Sequence, residues 1–128
     1  LVDITPLAKW NVSNVTYMKS LFFNCIQLSN LSPITEWDTS SVTDMNYMFC
    51  DTEVTNLDPL SKWQTAKVTN MGSMFNGCTK LTNVSGIDSW DISNVTSFTW
   101  MFYNCPSHPT FTKRTGSWDS NGTFTPTS

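Results

Sequence analysis

Four cysteines, one histidine and six Asn-x-Ser/Thr triplets hold most of the chemical capacity of this 128-residue chain. Cys25, Cys50, Cys78 and Cys105 form an even set in a chain rich in Asn, Ser and Thr, which favours disulfides in an oxidising compartment. No Cys-x-x-Cys pair occurs and His108 is the single histidine, so a zinc site is not expected. His108 lies in a Pro106-Ser-His-Pro109 turn, and Ser107 is too close to it in sequence for a triad-type pair without long-range help. Asp38, Asp91 and Asp119 each follow a Trp and read as turn or cap residues. Asn11 and Gln64 interrupt that column as a calcium site. The chain is therefore expected to be no enzyme, with no catalytic residue, metal or cofactor. Asn11, Asn14, Asn30, Asn83, Asn94 and Asn121 match the N-glycosylation pattern and predict covalent N-glycans on an extracellular or cell-surface protein.

Composition narrows the partners. The 13% charged fraction is about half of the usual share of roughly 25%. Thr, Ser and Asn instead make up 47 of 128 residues. A net charge of −3 and a single basic pair, Lys113-Arg114, argue against nucleic acid. Apolar runs of only a few residues predict no membrane span. The first residue is Leu1 and not Met, as expected of a processed or partial product whose removed segment carried a secretion signal.

The elements that position these residues are repeats. Trp10, Trp37, Trp63, Trp90 and Trp118 are spaced by 27, 26, 27 and 28 residues. Leu7, Ile34, Leu60 and Ile87 precede the first four by three residues, and Val15, Val42, Val68 and Val95 follow by five. Leu21-Phe22, Met48-Phe49, Met74-Phe75 and Met101-Phe102 come eleven and twelve residues after. Val42, Met45, Met48 and Phe49 fit one helical stripe, with Ser13, Ser40 and Ser93 placed to cap the helices. Leu81 to Val84 reads as a strand or extended turn, and Pro33, Pro59 and Gly86 turn the chain back toward the Trp. The fold class expected is an α/β repeat solenoid: a leucine-rich-repeat-like stack of about four 26–28-residue units, each a short helix plus a short strand. The units run over about 3–31, 32–57, 58–84 and 85–105, followed by a degenerate fifth unit and tail at 106–128.

The string Trp37-Asp-Thr-Ser-Ser-Val-Thr-Asp-Met-Asn-Tyr-Met-Phe49 resembles the BspA-like leucine-rich-repeat surface proteins of bacteria and protists. The resemblance covers residues 3 to 105, with Asn11 and Gln64 in place of Asp, Ala66 in place of Ser, Leu21 in place of Met and Phe98 in place of Met. It implies an extracellular, often adhesive protein without a catalytic site.

Register then assigns roles within the units. Cys78 and Cys105 share a column and are predicted to pair, with Cys25–Cys50 as a second bridge; a buried ladder of free thiols is the alternative. All six Met fall on two columns and read as core. Asn30, Asn56 and Asn83 share a column expected to be buried under a turn, so Asn14, Asn94, Asn121 and Asn11 rank ahead of Asn83 and Asn30 for glycans. Trp100 stands outside the Trp column and is the best candidate for an exposed contact. Neither terminus supplies a polar cap: Leu1 to Leu7 leads straight into a repeat, and the last unit is incomplete. Gly122 to Pro126 alternates as an edge strand suited to a neighbouring subunit. The expected function is a structural protein that self-assembles end to end into a surface or extracellular filament, with copies of itself as partner. The alternative is a cell-surface adhesion module that binds a protein or glycan ligand.

Overall fold

A computed structural model describes residues 3–127. The expectations for Leu1, Val2 and Ser128 lie outside the described residues. The 27-residue period is built as four rungs lying side by side, and each rung is hydrogen-bonded to the next through a row of backbone groups. Met18, Ser20, Phe22 and Asn24 donate their N–H groups to the carbonyls of Asp44, Asn46, Met48 and Cys50 at 2.8–2.9 Å. Met45, Tyr47, Phe49 and Asp51 do the same to Asn70, Gly72, Met74 and Asn76, and Met71, Ser73, Phe75 and Gly77 to Ser97, Thr99, Met101 and Tyr103. Isolated parallel bridges join Tyr17 to Asp44, Asp44 to Asn70, and Asn70 to Ser97.

The helix-plus-strand unit expected from the sequence is not what forms. Among the described residues the helical elements are short 3-10 turns at Thr5–Lys9, Ser32–Ile34, Asp58–Leu60 and Ser85–Ile87. Pro33, Pro59 and Gly86 lie inside three of them. The sole sheet among these residues is a two-stranded hairpin near the C-terminus. The segment read as a helix is instead broken every fourth residue by left-handed backbone, at Ser20, Tyr47, Ser73 and Trp100 (φ 54–61°) and again at Asn24, Asp51, Gly77 and Asn104. A non-glycine residue in that region costs about 1–2 kcal/mol. The break turns alternate N–H groups out of the coil and toward the next rung, where they find carbonyls. The intervening N–H groups of Leu21, Phe23 and Cys25 bond back to Met18, Ser20 and Phe22 within their own rung.

Ser13, Ser40 and Ser93 do not cap helices either. The residue after each Trp takes the capping role: the side-chain oxygens of Asn11, Asp38 and Asp91 accept from both the amide and the hydroxyl of Ser13, Ser40 and Ser93. The segment Leu81 to Val84 is extended turn with a single bridge, Asn56 to Asn83.

Side chains stack in columns over the backbone row. Phe22, Phe49, Phe75 and Phe102 lie ring over ring at 5.5, 5.5 and 5.1 Å. Trp37, Trp63 and Trp90 stack at 6.3 and 6.5 Å, within 11° of parallel. Each of these indole N–H groups donates to the preceding rung: Trp37 to the carbonyl of Leu7, Trp63 to Ile34 and Trp90 to Leu60. The Met columns fill the rest of the core, and all six Met are buried.

After rung four the chain folds back over it. β1 (Gly116–Trp118) pairs antiparallel with β2 (Phe124–Pro126), Trp118 facing Phe124 across the pair. Phe124 packs edge-on to Phe98 and Phe111, each at 5.1 Å, and Trp118 lies edge-on to Phe102 at 5.3 Å. Phe102 donates its N–H to the Gly122 carbonyl, and Trp100 donates its N–H to Thr123 Oγ1. Gly122 is required there, because a Cβ would lie 2.4 Å from the Phe102 carbonyl carbon. Arg114 Nη1 closes the end by donating to the carbonyls of Ile92 and Val95 at 3.0 Å, its guanidinium 5.9 Å from the Phe98 ring.

Phe49→Ala removes the centre of the Phe column and leaves a cavity. It is expected to cost about 3–5 kcal/mol in urea denaturation. Hydrogen bonds from Ser40 and Ser93 hold the Asp38 and Asp91 carboxyls below their ordinary value of 3.8. A lowered carboxyl stabilises the fold above the unfolded value and loses that contribution as pH falls through the folded one. The melting temperature should therefore drop as pH falls below about 4. The double variant Asp38→Asn, Asp91→Asn, which copies Asn11, should show a shallower drop over the same range.

Candidate functional site

Trp100 is exposed, and the structure places it beside a cleft that the sequence did not reveal. The cleft, of about 300 Å³, crosses the third rung. Gly72 and Ser73 of that rung form its floor, with Tyr47 of rung two on one side and Trp100 of rung four on the other. Asn46, Asn70, Ser97 and Thr99 complete the lining, so no charged side chain touches it. Tyr47, Ser73 and Trp100 share one left-handed column, and Trp100 rests against Tyr103 at 5.4 Å. The floor is low because rung three has glycine where its neighbours carry Asn46 and Thr99. A Cβ on Gly72 would meet the side-chain oxygens of Asn46 and Asn70 at 3.0 and 3.1 Å. Asn70 Oδ1 accepts from the Gly72 amide at 2.8 Å, which pins the floor. Two aromatic rings on either side of a glycine floor, edged by amides and hydroxyls, form a neutral surface that can stack and hydrogen-bond at once.

The expected Cys78–Cys105 and Cys25–Cys50 disulfides do not form; all four residues are free thiols. Cys78 and Cys105 share a column as predicted from register, but each thiol donates to the phenylalanine carbonyl of the preceding rung: Cys78 to Phe49 at 3.1 Å and Cys105 to Phe75 at 3.0 Å. Thr52 takes the same column in rung two and bonds to the Phe49 carbonyl at 2.9 Å. Cys50 belongs to a different column, with its own carbonyl accepting from Asn24. Burial pushes the Cys50 thiol up to about 12, with the Asp51 charge adding to it. Contact between the Cys78 and Cys105 thiols lowers the first and raises the second, with burial raising both.

All six sequon asparagines are exposed. Asn30 and Asn83 were expected under a turn. They do serve turns, but from the surface: Asn30 Oδ1 accepts from the Ser32 amide and Asn83 Oδ1 from the Ser85 hydroxyl. Asn94 Nδ2, the atom a glycan would take, donates to the Ala66 carbonyl at 2.7 Å. Asn121 lies in the hairpin turn, where its amide donates to Asp119. Asn14 makes no side-chain hydrogen bond among the described residues. His108 stacks on Trp118 at 5.0 Å and has no hydrogen bond to Ser107 among these residues. No group of three His, Cys, Asp or Glu side chains among them is placed to hold a metal ion, and no helix among them is long and apolar enough to cross a membrane.

A hydrogen-bonded repeat ladder with an uncharged aromatic cleft is the class of molecule these features define. The chain belongs to the family described as Mycoplasma protein of unknown function, DUF285, which matches residues 2–118. No curated protein and no solved structure matches it.

Denatured without reductant, the chain is expected to titrate four free thiols with a disulfide-exchange reagent. In the folded state Cys25 and Cys105, which are partly exposed, should react ahead of the buried Cys50 and Cys78. Recovery of a Cys78–Cys105 bridge in the native protein would reverse this assignment.

Proposed function

We propose that this chain is a non-enzymatic extracellular or cell-surface module that binds a ligand on the face bearing Trp100. The observation that carries this reading is the cleft between Tyr47 and Trp100, where two exposed rings, a glycine floor and the side chains of Asn46, Asn70, Ser97 and Thr99 line one opening. Those groups suit a neutral glycan: sugar C–H faces lie on aromatic rings, and hydroxyls exchange hydrogen bonds with Asn46, Asn70, Ser97 and Thr99. A ligand carrying charge finds no counter-charge there. The surface location is supported by the resemblance to BspA-like surface proteins, and Asn14 and Asn121 are the two sequons best suited to carry sugar.

End-to-end assembly through residues 112–128 is the competing reading. The hairpin weighs against it, because β2 pairs with β1 and covers the fourth rung of its own chain.

Titration of the full chain with cellohexaose and chitohexaose should change tryptophan emission. Trp100→Ala should weaken binding at least tenfold, about 1.4 kcal/mol, and Gly72→Val, which raises the floor, should do the same without unfolding the chain. If neither sugar binds but the chain adheres to an extracellular matrix protein in a Trp100-dependent way, the ligand is protein and the face is still the binding surface. If Trp100→Ala changes neither, the reading fails.

A further inference from the structure

The ladder has a direction, and its two ends differ. Rungs one, two and three each send four N–H groups forward, and rungs two, three and four each receive on four carbonyls from behind. In rung one the receiving carbonyls are those of Tyr17, Lys19, Leu21 and Phe23, and no donor among the described residues reaches them. The other contacts between rungs break off at the same edge. Trp37, Trp63 and Trp90 each donate an indole N–H to the rung behind, whereas the Trp10 indole has no acceptor among these residues. Thr43, Thr69 and Thr96 each donate their backbone N–H backward, and the Thr16 N–H finds no such partner among them. Trp10 is accordingly 56% exposed, where Trp37, Trp63 and Trp90 are 2–5% exposed. Leu21, Phe23 and Ile26 on the same rung are exposed as well.

We infer that the outer edge of rung one is a docking edge for one more rung of the same repeat, supplied by another repeat unit and not by a second copy of this chain. The interface it completes is the one already formed three times within the molecule. The incoming rung must bring four N–H groups at alternate residues, one carbonyl to take the Thr16 N–H, and a second to take the Trp10 indole. A second copy cannot supply these. Placed head to head, two such edges set carbonyl row against carbonyl row, and every ladder bond is missing. Placed head to tail, the first rung meets a fourth rung whose Phe102 and Trp100 N–H groups are already held by Gly122 and Thr123 under the hairpin. The edge therefore extends the ladder in one direction, and the hairpin ends it in the other.

The test has two parts. In sedimentation, the unaltered chain should remain monomeric up to about 100 µM, with Trp10 open to acrylamide quenching; a dimer that shields Trp10 overturns the inference. In the second part a further copy of residues 32–57 is joined directly ahead of Thr5, so that its Leu57 equivalent takes the place of Ile4. The grafted chain should stay monomeric, lose most of its acrylamide quenching at Trp10, and melt several degrees higher. Quenching at Trp10 unchanged in a folded graft overturns the inference. Phe23→Glu separates docking from simple lengthening. It should leave the melting temperature of the unaltered chain within a degree or two and remove most of the gain from the graft. An equal gain with and without Phe23→Glu would show that the added unit does not seat on this edge.

Discussion

The row of N–H to carbonyl bonds between successive rungs is the constraint on which the rest of this molecule depends. It fixes which residue of one unit stands over which residue of the next, and the Phe, Met and Trp columns follow from that register. Its requirement is local: the chain must present alternate N–H groups along the stack while staying coiled within each rung. Left-handed residues at every fourth position meet this requirement. The cost at each is of the order of a kilocalorie, and a cross-rung hydrogen bond together with an aromatic neighbour offsets it. Because these gains come only from neighbouring units, a single rung keeps no more than the turn hydrogen bonds within it.

The repeat was legible in the sequence, and so was the burial of its Met columns, because a side chain that recurs at constant register must face the same neighbour each time. The conformation between those columns was not legible by the same route. Val42, Met45, Met48 and Phe49 occur at spacings that a helix and this coil both satisfy, since each turns three to four residues onto one side. The deciding signal lay at a polar position. Asn24, Asp51, Gly77 and Asn104 are the residue types that accept left-handed backbone most readily, and a helix interior has little use for any of them. The alternation in Gly122 to Pro126 did mark a strand, but its partner could not be read, because the Gly116–Trp118 segment carries no comparable pattern. The cleft escaped notice for a related reason: its walls come from rungs two and four, and only the stack brings Tyr47 and Trp100 to the same opening.

The abundance of Asn, Ser and Thr takes a different meaning once the ladder is in view. Asn11, Asp38 and Asp91 bond to the Ser two residues on, and Asn30 and Asn56 bond to the amide two residues on. A turn of this kind places its acceptor and donor at the spacing of an N-glycosylation triplet, so several such triplets are consequences of the fold. The Thr column at 16, 43, 69 and 96 is structural too, each later hydroxyl bonding to the Thr carbonyl of the rung before. Cys78 and Cys105 obey the same logic. Thr52 stands in for a thiol because the position needs a short donor aimed at a phenylalanine carbonyl, which serine-like chemistry and a thiol both provide.

Low charge follows from this arrangement and shapes what the surface can do. Two cross-rung ion pairs, Lys62–Glu36 and Lys80–Glu53, sit on exposed flanks away from the cleft, where such pairs contribute little. Around Gly72 the polar groups are amides and hydroxyls, and the Gly72 amide holds the Asn70 side chain. On the proposed reading, a side chain already held, as Asn70 is, loses little entropy on binding. The selectivity of the cleft then rests on shape and hydrogen-bond pattern, and the glycine floor fixes the shape. The ladder that builds the core thus also sets the geometry of a recess flanked by two exposed aromatic rings, with rung three lowered by a single missing side chain.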